Sequence, residues 1–96
     1  MIVNGIGNLE KAKQKYAECR EQLNSWLTEA KAAKWYSFHD IKKKFQTASN
    51  LGNTIVIFNI KGKKYRLETK IYYGRETIII KRFGTHAEYS KWYEKG

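Results

Sequence analysis

The chain has 96 residues, 42% hydrophobic and 15% aromatic, with 19 Lys and Arg against 9 Asp and Glu. That is enough apolar material for one small packed domain spanning residues 1–96, and too much for a wholly disordered chain. A single cysteine, Cys19, excludes an intramolecular disulfide and argues against a structural zinc site, a usage that fits a reducing cytoplasm. The N-terminus does not read as a signal peptide, and no apolar run approaches a membrane span.

The net charge of +10 is unevenly placed: residues 1–33 hold five basic and four acidic residues, whereas residues 34–96 hold fourteen and five. A localised positive field attracts polyanions. Nucleic acid is the first class of partner it suggests, an acidic protein the second, and a merely well-solvated surface the plain alternative.

In chain order, "MIVNGIG" reads as a short strand or a loose end; its "GIG" lacks the third glycine and the strand–helix setting of a dinucleotide loop. From Leu9 the apolar positions Leu9, Ala12, Tyr16, Cys19, Leu23, Trp26, Ala30 and Ala33 recur at steps of three and four, the stripe of a helix that buries one face. Asn8 is the expected cap, and no proline interrupts the run to about Lys34. "SFHD" has the form of a capping box, Ser37 with Asp40, opening a short helix through Ile41 and Phe45, with Lys42, Lys43 and Lys44 forming a largely solvated face. "ASNLGN" reads as a loop.

The period then changes. "TIVIFNI" suits a strand buried on both faces, "KGK" a tight turn, and "KYRLETKIYY" alternates strictly. Tyr65, Leu67, Thr69 and Ile71 fall on one side, and Lys64, Arg66, Glu68 and Lys70 on the other. After "GRE" turns the chain, "TIIIKRF" returns as a third strand. These segments predict an α+β fold, an antiparallel meander covered on one face by the preceding helices, with a charged row on the open face.

"GTHAEYSKWYEKG" closes the chain as a short helix or a frayed tail. Thr85 and Glu88 stand at capping-box spacing, and a helix opening there aims free amides at its surroundings beside Lys81 and Arg82. His86 and Tyr89 add two titratable groups to that corner. Scattered acids give no two-metal site, and no serine-hydrolase or phosphate-loop motif is present. The inventory instead suits metal-free attack of an RNA 2′-hydroxyl on its own phosphate, a step that needs a proton acceptor, cations and a donor for the leaving oxygen. His86, Tyr89, Arg66, Lys64, Lys70 and Lys81 are the candidates. Glu88 reads as a cap, and a lone histidine among lysines also reads as an ordinary surface residue.

The pieces "DIKKKF", "AS" before "LGN", "VIFNIKGKKYRL" and "RFGTHAEY", with "KY", Leu23 and Trp26 upstream, resemble the HigB family of type II toxins within the RelE-like group. The resemblance spans about residues 9–92. It implies an endoribonuclease that cuts messenger RNA, generally on the ribosome, and that is neutralised by a HigA-like helix-turn-helix antitoxin. DNA is then reached only through the antitoxin, no membrane is involved, and no cofactor or metal is required. Carried over by position, the implied catalytic set is Lys64, Arg66, Lys81, His86 and Tyr89. Lys70, from strand alternation, joins Lys61, Lys63 and Arg82 as RNA-binding candidates.

The chain departs from that family's pattern in four places. Its opening strand is poor, Ala17 replaces a frequent proline and so favours one long helix, Lys63 replaces the usual asparagine of the hairpin, and Ser90 replaces an aspartate. A non-catalytic RNA- or ribosome-binding module, or a domain whose basic face meets an acidic protein, is the competing reading of the same charge pattern.

Overall fold

The computed structural model describes residues 1–93. These residues form β1 (Ile2–Asn4), α1 (Ile6–Lys15), a 3₁₀ turn (Ala17–Cys19), α2 (Arg20–Ala32) and α3 (Phe38–Lys44). There follow β2 (Ser49–Gly52), β3 (Ile55–Ile60), β4 (Tyr65–Tyr72), a second 3₁₀ turn (Tyr73–Arg75), β5 (Thr77–Thr85) and α4 (His86–Trp92). The result is the expected α+β class, with one sheet in the order β1-β5-β4-β3-β2. β2 to β5 pair antiparallel, and β1 joins the far edge parallel to β5, from Ile2 opposite Thr77 to Asn4 opposite Ile79. No helix among these residues is long and apolar enough to cross a membrane.

The core follows the two sequence periods. Leu9, Ala12, Cys19, Leu23, Trp26 and Ala30 from the helical stripe are buried against Val56, Phe58 and Ile60 of β3 and Tyr65, Leu67, Thr69 and Ile71 of β4. Trp26 and Phe45 both stand edge-on to Phe58, at centroid distances of 5.3 and 5.1 Å, a geometry that adds about 0.5–1.5 kcal/mol per pair beyond area burial.

Several local expectations are overturned by tertiary contacts. The long first helix breaks at Tyr16 (φ −123°, ψ 71°), because the Tyr16 ring packs on Tyr65 and Phe83 and its hydroxyl donates to Glu88. Contacts of this kind outrank helix propensity. α1 is capped by Gly5 rather than Asn8; the Asn8 amide instead donates to the carbonyls of Ile80 and Lys81. Ser37 occupies the cap position of α3 without a side-chain bond, and Asp40 accepts from the Tyr36 amide at 2.9 Å. "ASNLGN" is not simply a loop: Ser49–Gly52 forms the fully exposed edge strand β2, a short polar strand that carries no alternation to read.

The middle of the charged row is not open to solvent, although Lys64 is exposed and Lys70 half-buried. Arg66 and Glu68 retain only 9% and 6% exposure, because α4 folds back over that face. The backbone allows this at Gly84, opposite Arg66, where a Cβ would lie 3.0 Å from Trp92 and 3.1 Å from Glu88. A β-bulge also shifts the β4–β5 register, so that Thr69 faces Ile80 while Glu68 faces Arg82. Lys81 is the extra residue, which takes it out of the alternation.

α1 docks on this bulge through Gly5 and Asn8. A Cβ on Gly5 (φ +85°) would stand 2.5 Å from the Ile80 carbonyl oxygen. Gly5→Ala is therefore expected to cost at least about 2 kcal/mol by urea unfolding. Gly52→Ala shares a positive φ (+82°) but meets nothing within 4 Å, and isolates the backbone part of that cost.

A second clamp is Glu18, which accepts from the Tyr65 hydroxyl and pairs with Lys61 at 3.1 Å and Lys64 at 3.2 Å. These partners, Tyr65 foremost, hold its carboxyl down at about 2 against an ordinary 4.5. A depressed folded value gives stability that is present above 4.5 and lost as pH falls toward 2. Glu18→Gln should flatten the pH dependence of unfolding across that window; an unchanged profile would remove the clamp.

Candidate active site

Arg66 enters from β4 with its guanidinium under the first turn of α4. One terminal nitrogen, Nη1, donates to the carbonyls of Lys63 at 2.5 Å and Tyr65 at 3.5 Å. Nη2 lies 3.0 Å from Nδ1 of His86, and the Tyr89 ring stands 5.4 Å from the guanidinium carbon. A guanidinium only donates, so Nδ1 is the acceptor and the ring proton sits on Nε2. No carboxylate lies within 4 Å of Arg66 among the described residues. His86, by contrast, is exposed. The pair thus presents an imidazole at the surface with a cation fixed behind it.

The start of α4 holds this arrangement. The expected capping box is present: Glu88 donates its amide to Thr85 Oγ1 at 3.1 Å and accepts from the Thr85 amide at 3.0 Å. The same carboxylate oxygen accepts from Tyr16 at 2.6 Å, tying α4 to the helical layer. The Thr85 amide and then the Tyr16 hydroxyl hold Glu88 below the usual carboxylate range, and the bond to Glu88 raises the Tyr16 hydroxyl. The His86 amide donates to the Lys64 carbonyl at 3.0 Å, joining α4 to the β3–β4 hairpin. Amides expected to be free for an anion are therefore largely engaged.

The remaining sequence candidates divide. Arg66, His86 and Tyr89 come together. Lys63 adjoins them through its carbonyl, while the Lys64 and Lys61 ammonium groups turn to Glu18. Arg82 donates to Glu68 at 2.8 Å and stacks on Trp92 at 4.5 Å. Lys70, opposite Ile55 and Ile79, sits on the Arg66 side of β4 but four residues away, which at strand rise is about 13 Å. Lys81 faces α1 rather than Arg66 and lines a groove with Lys11, Lys15 and Tyr16.

Four contributors escaped the sequence reading: Tyr16, Glu68, Trp92 and Tyr93. Tyr16 fits the helical stripe, and its partner Glu88 is 72 positions away. Glu68 fits the alternating row, yet it is buried and also accepts from Tyr93, whose hydroxyl is pushed up to about 12, first by burial and then by that bond. Residues 94–96 of the expected tail lie outside the described residues.

Comparison with curated proteins finds no match. A family model, the HigB toxin, described as the RelE-like toxic component of a toxin-antitoxin system, matches residues 19–92, well over half of the chain. That span runs from α2 through α4 and contains Arg66, His86 and Tyr89. Membership implies an antitoxin as partner, and on this evidence the chain belongs to the HigB family of RelE-like toxins.

Proposed function

We propose that this toxin is an endoribonuclease that cleaves messenger RNA on the ribosome without a metal ion and is neutralised by a HigA-like helix-turn-helix antitoxin. The observation that carries the reading is the 3.0 Å contact between Arg66 and His86. It unites a nearly buried cation that lacks a carboxylate partner among the described residues with an exposed imidazole. Such a cation gains from a phosphate at its mouth, where its Nε–H and second Nη2–H have no partner among the described residues.

The step that suits these groups is attack of the 2′-oxygen on the adjacent phosphorus. The 2′-O–P bond forms, the P–O5′ bond breaks, and the products are a cyclic phosphate and a 5′-hydroxyl. Arg66 turns toward the non-bridging oxygens as negative charge builds on them. That frees Nδ1 of His86 to take the 2′-hydroxyl proton. Lys64, beside His86 through its carbonyl, gives the departing 5′-oxygen its proton once the ammonium leaves Glu18. Solvent then resets both side chains. Tyr89 holds the guanidinium on its ring and offers a face to a nucleobase.

His86→Ala is expected to lower cleavage of ribosome-engaged messenger RNA by about a hundredfold or more, and Arg66→Lys by about tenfold or more. His86 is exposed, so its variant should keep the wild-type circular dichroism spectrum, with a melting temperature lowered only by the one bond to Arg66 that is lost, about 1 kcal/mol. Mapping transcript ends after induction checks both; full cleavage by His86→Ala ends this assignment. Gly84→Ala, which presses on Trp92 and Glu88 by a few tenths of an ångström, should shift α4 slightly and lower cleavage by up to about tenfold.

A further inference from the structure

Away from the Arg66–His86 pair, a groove of about 200 Å³ runs between α1 and β5. Lys11 and Lys15 border it from α1, Lys81 and Arg82 border it from β5, and Tyr16 and Phe83 lie between them. Among the described residues four cations line this groove and no carboxylate does. The fold creates it in two ways. β1 pairs with β5 only as far as Ile79, so the edge beyond is open to α1. The bulge takes Lys81 out of the sheet alternation, and Asn8 fixes α1 to the bulge carbonyls.

The cations differ in how they are satisfied. Lys11, Lys15 and Lys81 have no ion pair within 4 Å among the described residues, whereas Lys13 between them in sequence is paired with Glu10 at 2.9 Å. Lys11 and Lys15 are four apart on one helix face, a like-charge spacing that destabilises an isolated helix. A bound anion would offset that repulsion. The rings of Tyr16 and Phe83, 5.6 Å apart, are both half-buried. Unpaired cations beside aromatic rings are the ingredients of a single-stranded nucleic-acid track, phosphates on the cations and bases against rings. An acidic peptide would use the cations but has no need of the rings.

We propose that this groove is a second phosphodiester subsite, which holds the backbone of single-stranded RNA outside the step that is cleaved. The inference rests on RNA being the ligand of this toxin. The two regions are mechanically joined, because Tyr16 on the groove wall donates to Glu88, two residues along α4 from His86.

The test is fluorescence anisotropy with a fully 2′-O-methylated oligoribonucleotide of about 12 nucleotides, a length at the scale of single-strand binding sites. Such an oligonucleotide cannot be cut by 2′-hydroxyl attack. A methylated trinucleotide serves as the short probe. The variant is Lys11→Ser with Lys15→Ser. The control removes the same charge elsewhere, Lys31→Ser with Lys34→Ser, beside the hollow at Met1 and Glu76. The groove variant should bind the long probe at least about fivefold more weakly than the control, with a logarithmic salt slope shallower by about 1.4 for the two cations lost. Its affinity for the trinucleotide should match the control. Equal losses in variant and control, no loss in either, or loss of poly-glutamate binding with long-probe binding unchanged would each overturn the subsite. A protein that shows the groove effect yet never cuts unmodified messenger RNA would refute the nuclease reading and leave the subsite standing.

Discussion

A guanidinium with 9% exposure and, among the described residues, no carboxylate beside it is the constraint around which this molecule is arranged. Burying a charge is costly unless hydrogen bonds and an opposite charge compensate it. Arg66 receives the first kind of compensation from two hairpin carbonyls, an imidazole nitrogen and an aromatic face. Among the described residues it receives none of the second. Arg82, two register pairs away, shows the contrast: Glu68 neutralises it, and two aromatic rings lie against it. The first arginine keeps donors without a carboxylate among the described residues, whereas the second ties β5 to β4 and α4.

Keeping Arg66 in place depends on α4, a helix of seven residues that would not persist alone. Three attachments hold it: the Thr85–Glu88 capping box, the Tyr16 hydroxyl on Glu88, and the Glu68–Tyr93–Arg82 cluster. The first is local, and the other two cross between elements distant in sequence. Glycine at 84 gives the room for that helix to return over β4. His86 is therefore positioned by contacts that reach through both layers of the fold.

The positive charge is likewise partitioned by tertiary structure. Lys61 and Lys64 are drawn to Glu18 on the 3₁₀ turn, and Arg82 is drawn to Glu68, so these cations have structural partners. Lys11, Lys15 and Lys81 are left without an ion pair among the described residues, around one groove. Two of those three come from the N-terminal third, where the sequence balance is nearly neutral. Net charge per segment points to a polyanion, and the pairing pattern determines where one can be held.

The amino-acid sequence by itself determined the α+β class, the apolar faces and the capping box at Thr85. All three rest on short-range periodicity: steps of three and four in the helices, alternation from Tyr65 to Ile71, and a three-residue spacing before α4. The motif resemblance likewise brought Arg66, His86 and Tyr89 forward. Tertiary structure alone decided the break at Tyr16, the parallel pairing of β1, the edge strand Ser49–Gly52 and the burial of Arg66 and Glu68. It also decided that Lys81 and Lys70 stand apart from the imidazole. The physical reason is common to all of them. Alternation shows which side of a strand a residue takes, but what covers that side, and where a bulge interrupts the count, depend on partners dozens of residues away.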